Sequence, residues 1–265
     1  MDDIIFLKLG GSLLTDKTAV EALRSDVLER LAQEIADARA ENPGLRLVLG
    51  HGSGSFGHVA GARHGTRMGV SGRDQWFGFA EVSDAAARLD RHVIAALLAC
   101  GVPAIGLPPS ASATVTDGRI TGLSVSPIKS ALDAALVPVV FGDVAFDVAR
   151  GGTIISTEEV MDYLTAQLRP RYLLLAGETP GVLDLKGAVI PQLSRANLED
   201  YLPALGGSRG TDVTGGMVAK VTAMIELAEL LHGLSIRIFS GLIPGLLGRL
   251  LADPTTPAGT LISDM

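Results

Sequence analysis

Short, continuously apolar runs alternate along the chain with longer stretches whose apolar residues recur every three to four positions. The runs at 4–9, 45–49, 103–105, 137–141, 172–176 and 235–239 predict strands. Several of them lack a polar face, which marks strands buried on both sides. The periodic stretches 21–40, 78–99, 127–135, 158–168, 196–202, 216–232 and 242–251 predict helices. Strands alternating with helices predict an α/β fold with a mainly parallel sheet covered on both faces. Two further β-type stretches, 118–121 and 182–190, predict hairpins added to that sheet, the second broken by Lys186-Gly187. No linker, low-complexity tract or repeat divides the chain, so a single domain over 1–265 is expected, with lobes at roughly 1–150 and 151–265.

Composition narrows the function classes. With 265 residues, 47% of them hydrophobic and 19% charged, the chain can bury a substantial core. A net charge of −7 argues against a nucleic-acid partner, which needs a broad basic face. No apolar run reaches the roughly 18 residues of a membrane span, and Met1-Asp2-Asp3 is acidic where a signal peptide is basic. A soluble, cytoplasmic protein without membrane contact is expected. The single cysteine, Cys100, excludes an internal disulfide framework and falls in an apolar helical stretch, which reads as a packed thiol.

Lysine usage points to phosphate chemistry. Five lysines stand against seventeen arginines, and Lys8, Lys17 and Lys220 each lie close to a pair of adjacent glycines. An ammonium is a compact, mobile charge that follows a migrating phosphoryl group, whereas a guanidinium is a rigid fork. Lys8-Leu9-Gly10-Gly11-Ser12 leaves the end of the first strand, where ligands bind in open α/β sheets. The alternative is a tight turn with an exposed lysine. Gly50-His51-Gly52-Ser53-Gly54-Ser55-Phe56-Gly57-His58 follows the second strand and reads as an anion-binding loop. It ends in His58, which can donate to a phosphate oxygen. The run 210–220 predicts a helix N-terminus near Thr214, Gly215 and Gly216, facing a ligand, with Lys220 about one turn inside.

Three other letter patterns fail on context. Gly52-x-Gly54-x-x-Gly57 matches a dinucleotide fingerprint but follows the second strand and is not succeeded by an apolar helical period. Gly206-x-Ser208-x-Gly210 spells a nucleophile elbow but follows a helix instead of a strand. The Walker pattern is absent. No histidine pairs with carboxylates at metal-ligand spacing, so no zinc or other protein-held metal site is expected.

In order and spacing, Lys8-Leu-Gly-Gly-Ser12, His51-Gly-x-Gly-Ser-Phe-Gly-His58, Gly78-Phe-Ala80, Pro109-Ser-Ala111, Pro138-Val-Val140, Gly142-Asp-Val144 and Thr211-Asp-Val-Thr-Gly-Gly-Met-Val-x-Lys220 closely resemble the amino acid kinase superfamily, and within it the isopentenyl phosphate kinases. The resemblance implies an open αβα sandwich, usually a homodimer, with an acceptor-binding N-terminal lobe and a nucleotide-binding C-terminal lobe. It also implies transfer of the γ-phosphoryl group of ATP, with Mg2+, to isopentenyl phosphate. By position, Lys8 would bridge donor and acceptor phosphates, Gly10, Gly11, Ser12 and Gly54 would line the phosphate site with backbone donors, and Lys17 would stabilise the transferring group. Ser53, His58 and Thr157 would face the acceptor phosphate. Glu178, Gly216 and Lys220 would hold the nucleotide. Phe77, Phe79 and Ile155 flank the expected loop side of the sheet, where they either surround the acceptor's hydrocarbon tail or are plain core.

The chain departs from the family pattern twice. Ser156-Thr157-Glu158 stands where Ser-Gly-Asp is frequent, and Gly177-Glu178-Thr179-Pro180-Gly181 stands where Thr-Asp-Val-Asp-Gly is frequent. Both keep a carboxylate with one more methylene, Thr157 adds bulk near the acceptor, and Pro180 removes an N–H. A related phosphate or phosphonate kinase of the fosfomycin type, or a catalytically silent nucleotide-binding regulator, are the alternatives these changes leave open.

Overall fold

The computed structural model describes residues 4–16, 18–205 and 216–264. In chain order the strands are β1 (Ile4–Leu9), β2 (Thr15–Asp16), β3 (Ala22–Leu23), β4 (Arg46–His51), β5 (Ala104–Gly106), β6 (Thr114–Thr116), β7 (Arg119–Gly122), β8 (Val137–Phe141), β9 (Asp143–Asp147), β10 (Gly151–Ile155), β11 (Tyr172–Gly177), β12 (Gln192–Leu193), β13 (Ser235–Ser240) and β14 (Thr260–Ile262). The helices are α1 (Gly11–Leu14), α2 (Ser25–Glu41), α3 (Gly54–His64), α4 (Arg73–Ala99), α5 (Ser126–Asp133), α6 (Thr157–Leu168), α7 (Leu198–Leu205), α8 (Gly216–Leu230) and α9 (Leu246–Ala252).

Eight strands form the central sheet in the order β12-β14-β13-β11-β1-β4-β8-β5. Every neighbouring pair is parallel except β13 with β14. The sheet is therefore the mainly parallel one that the apolar runs predict, with β1 near its middle. Alternation along β1 divides the core. Ile5, Leu7 and Leu9 point into one cluster with α1, α2 and α9, while Phe6 points into the other with α6 and α8. By the same period of two, Lys8 lies on the Phe6 side, at the end of the strand.

Several boundaries differ from the periodicity. The stretch 118–121 does form a hairpin, β6–β7, but it belongs to a separate four-stranded sheet, β10-β9-β6-β7, and not to the central one. Residues 182–190 close on one isolated bridge, Leu183 to Val189, and join no sheet. There the Asp184 carboxylate accepts from the Lys186 and Ala188 N–H groups, so side-chain turn chemistry replaces ladder pairing. The helix expected over 21–40 starts only at Ser25, because Ala22 and Leu23 pair with Asp16 and Thr15. That expected over 242–251 starts at Leu246, after Pro244 and a left-handed Gly245. Helix α4 begins at Arg73, five residues early, directly behind Gly72 at φ 76°.

The largest difference is α3. The glycine segment read as a loop to His58 turns helical at Gly54 and runs to His64. Gly, Ser and Phe are poor helix formers, but Phe56, Gly57 and Gly61 are buried, Phe56 meets the His92 ring of α4 edge-on, and this packing overrides propensity.

Residues 10–11 and 52–54 cross in backbone contact. A Cβ at Gly52 would stand 2.6 Å from the Gly11 nitrogen, and one at Gly11 would stand 2.5 Å from the Gly54 nitrogen. Gly52→Ala should therefore force the two loops apart, at a cost of about 1–3 kcal/mol. A fall in Tm of roughly 3–10 °C is expected in a thermal melt, and an unchanged Tm would mean that the contact yields freely.

Candidate active site

Strands β1 and β4 are parallel neighbours in register Leu9 to His51, so both chains leave the sheet side by side. One turns into α1 after Gly10, the other into α3 after Ser53. Gly10 N–H donates to Ala176 O (2.8 Å) and Gly52 N–H to Leu9 O (2.9 Å), which fixes both exits on the sheet edge. Thr15 rivets them together: its Oγ1 donates to Gly11 O and accepts from Ser55 N–H, each at 2.8 Å. Gly54 sits at φ 50°, and a Cβ there would lie 2.2 Å from Thr15 Oγ1, so both its conformation and its space demand glycine. The first N–H groups of α1 and α3 have no carbonyl partner within their own helices. Gly11, Ser12 and Gly54 are thereby brought to one place.

His58 lies one turn into α3 and is exposed. Its Nδ1 is 2.9 Å from Gly54 O, the carbonyl four residues back, which makes Nδ1 the donor and leaves Nε2 to meet a ligand. Ser53, at the start of α3, packs its Cβ and Oγ against Gly57.

Lys8 reaches across to α6, where its ammonium forms an ion pair with the Glu158 carboxylate. The start of α6 is held by a reciprocal capping box. Ser156 Oγ accepts from Glu159 N–H (3.2 Å), and the Glu159 carboxylate accepts from Ser156 N–H (2.6 Å). Arg67, behind α3, grips the same Glu159 with two nitrogens at 2.7 and 2.8 Å and also donates to Ile154 O. The neighbouring Glu158 is thus aimed at β1. Burial alone would raise the Glu158 pKa, but the Lys8 charge and hydrogen bond, with a further contribution from Lys220 on α8, bring it below the ordinary value. Lys8, Glu158 and Lys220 therefore share one electrostatic neighbourhood. Since 48% of the Glu158 side chain is open to solvent, the pair positions Lys8 more than it stabilises the fold.

The structure gives other expected site residues more specific duties. Thr157 is buried, and its hydroxyl donates to His51 O at 2.7 Å, joining α6 to β4. The Glu178 carboxylate pairs with Arg24 at 2.8 Å, and its carbonyl accepts from Ser240 Oγ. Gly216 begins α8 and Lys220 lies in its second turn. Lys17 and residues 210–215 lie outside the described residues. Phe77, Phe79 and Ile155 do not line one pocket: Phe77 is exposed, Phe79 packs with Val70, Val82 and Val144, and Ile155 is buried in the α6–α8 cluster.

Sequence reasoning missed two features. One is the buried pair His51 and Asp90 (3.3 Å), with the His51 ring stacked on Phe141 behind the glycine crossing. A histidine ending an apolar strand is a visible signal, but its partner on α4 is not. The other is Asp162, one helical turn after Glu158 and legible from that i,i+4 spacing. Loss of water around its carboxylate, and then the Glu158 charge, push Asp162 up to about 6. The residue keeps much of its surface exposed, so screening reduces the energetic consequence.

Residues 3–240 match the amino acid kinase family. The chain belongs to that family. It is 36% identical over 258 residues to an isopentenyl phosphate kinase of Methanothermobacter thermautotrophicus, covering 94% of this chain and 95% of the relative. It is 37% identical over 230 residues to one of Haloferax volcanii, covering 86% and 90%. A crystal structure of an isopentenyl phosphate kinase superposes with a TM-score of 0.81 at 30% identity, covering 98% of this chain and all of the other.

The raised pKa of Asp162 yields a pH signature. Its ionisation costs stability, and the cost grows as pH rises from the ordinary Asp value of 3.8 to about 6. Asp162→Asn should leave Tm unchanged near the acid end of that window and raise it at pH 8. An equal shift at every pH in a melting series would show that the carboxylate does not feel its surroundings.

Proposed function

We propose that this chain phosphorylates isopentenyl phosphate at the expense of ATP, giving isopentenyl diphosphate. The observation that carries the reading is the junction of the Lys8 and His58 segments, with two helix starts and an ammonium facing a place where one phosphate can meet another. The similarity to isopentenyl phosphate kinases over more than nine-tenths of the chain supports the same acceptor.

Bound Mg-ATP supplies the γ-phosphoryl group and its counter-ion. In this reading magnesium is carried by the nucleotide phosphates. Lys8, steadied by Glu158, bridges donor and acceptor, and the N–H groups of Gly11, Ser12 and Gly54 face the transferring oxygens, whereas Gly10, expected among these donors, spends its N–H on Ala176 O and holds the exit of β1 in place. Lys17 stabilises the migrating group, Ser53 and His58 belong to the acceptor side, where the buried Thr157 hydroxyl is instead spent on His51 O, and Glu178, Gly216 and Lys220 belong to the nucleotide side. The acceptor is already an anion, so no strong general base is needed, and catalysis rests on positioning and charge.

The reading includes a cytoplasmic homodimer with acceptor-binding and nucleotide-binding lobes at roughly 1–150 and 151–265. Among the described residues no helix is long and apolar enough to cross a membrane.

Turnover of isopentenyl phosphate with Mg-ATP, followed by ADP release and diphosphate formation, tests the proposal. His58→Ala should lower kcat/KM about a hundredfold, the scale of losing one donor to a charged oxygen. A wild-type protein that phosphorylates a phosphonate but not isopentenyl phosphate would overturn the assignment of the acceptor, and ATP binding without transfer to either would overturn the reaction.

A further inference from the structure

One guanidinium spans the junction between β10 and α6. Arg67 lies in the turn at 66–68 that follows α3 and a left-handed Gly65 (φ 61°). Its Nη1 donates to Ile154 O at 2.6 Å and to Glu159 Oε2 at 2.8 Å, and its Nη2 donates to Glu159 Oε1 at 2.7 Å. The strand end and the helix start are therefore gripped by the same side chain. The turn that carries Arg67 is itself pinned to β10, because the buried Thr153 hydroxyl donates to Arg67 O at 3.0 Å. Glu159 Oε2 also accepts from Ser156 N–H, so both carboxylate oxygens are engaged and the side chain has one direction open to it.

The residue this grip bears on is Glu158. It follows Thr157 in the first turn of α6, where helix ends fray. Two ties hold that turn on either side of it: the Thr157 hydroxyl bonds back to His51 O of β4, and Glu159 is held by Arg67. Glu158, between them, carries the ion pair with Lys8. The Arg67 and Glu159 side chains are 48% and 33% open to solvent, so their pairing contributes direction more than stability.

We infer that Arg67 is a positioning residue for phosphoryl transfer: by joining the end of α3 to the start of α6 it holds Glu158 on Lys8, and so keeps the Lys8 ammonium at the strand end. The inference rests on the role proposed for Lys8. Because the Thr157 tie survives the loss of Arg67, the effect is limited to a few-fold.

The test has an arm with substrates and one without. Arg67→Ala and Glu159→Gln separate the clamp from the cap, since glutamine keeps the capping box and loses the charged fork. Each should lower kcat about three- to fivefold, with KM for ATP and for isopentenyl phosphate within about twofold of the wild type. The double variant should be no slower than the slower single one, because both act on one contact. Without substrates, the Glu158 carboxyl is titrated by 13C NMR, its resonance assigned with Glu158→Gln. Lys8 holds that carboxyl below the ordinary value, so a carboxylate released from Lys8 should titrate at higher pH. Lys8, Lys220 and Asp162, the neighbouring charged groups on β1, α8 and α6, are unaltered in both variants. Through-space charge alone would move Glu158 up when Arg67 is removed and down when Glu159 is neutralised, whereas loss of the clamp moves it up in both. Unchanged kcat in both single variants, an additive double variant, or a Glu158 midpoint that falls or stays in Glu159→Gln would each overturn the inference. A wild-type protein inactive on isopentenyl phosphate would instead overturn the functional reading, and the role of Arg67 in transfer with it, while the titration would still read the clamp itself.

Discussion

Backbone contact between residues 10–11 and residues 52–54 is the constraint on which the site depends. Parallel pairing of β1 with β4 delivers two chain exits at the same edge of the sheet, but adjacency alone would leave them separated by side chains. Glycine at 11, 52 and 54 removes that spacing, and Thr15 Oγ1 bonds both sides of the gap. Two sets of helix-start N–H groups then fall in one place, where their partial positive charges add. An acidic chain thereby gains a local positive field without a broad basic surface.

The same edge explains the ion pair behind it. Alternation along β1 puts Lys8 on the face covered by α6 and α8, and the capping box beginning at Ser156 fixes where α6 starts. Glu158 is consequently presented to Lys8 with its own neighbour, Glu159, anchored to Arg67. The pair is half open to water, so its worth lies in direction: the ammonium is held at the strand end instead of sampling solvent. Asp162 lies one turn further along α6, adjacent to this charge pair but without a cation of comparable weight, and its raised pKa follows from that asymmetry.

Much of this architecture was legible before any coordinates. The six apolar runs fall on β1, β4, β5, β8, β11 and β13 of the central sheet to within about two residues, because all of these but the three-residue β5 are long and largely buried and leave an unbroken apolar signal. The short strands were not legible. β2, β3, β12 and β14 have two or three residues, too few for a period, and exist because of their neighbours. α3 was hidden for a different reason: its glycine content argues against a helix, and only packing against α4 reverses the balance. At the site, Lys8 and His58 could be named because glycines flag close backbone approach. The partners Glu21–Arg88, Arg24–Glu178 and His51–Asp90 are 39 to 154 residues apart and leave no trace in local spacing.

The two departures from the family pattern bear on whether the site can still act. Glu158 in place of aspartate brings the carboxylate to Lys8, so the charge pairing survives the extra methylene. Thr157 in place of glycine turns its hydroxyl inward to His51 O and is buried, so its polar group is absorbed by the β4–α6 junction. Glu178 is matched by Arg24, so the carboxylate kept at that position has a cation beside it. Each change thus meets a compensating contact within the fold, as expected of a site that has kept its charge geometry. The silent-regulator alternative drew its motive from Glu158 and Pro180, and for Glu158 that motive is gone.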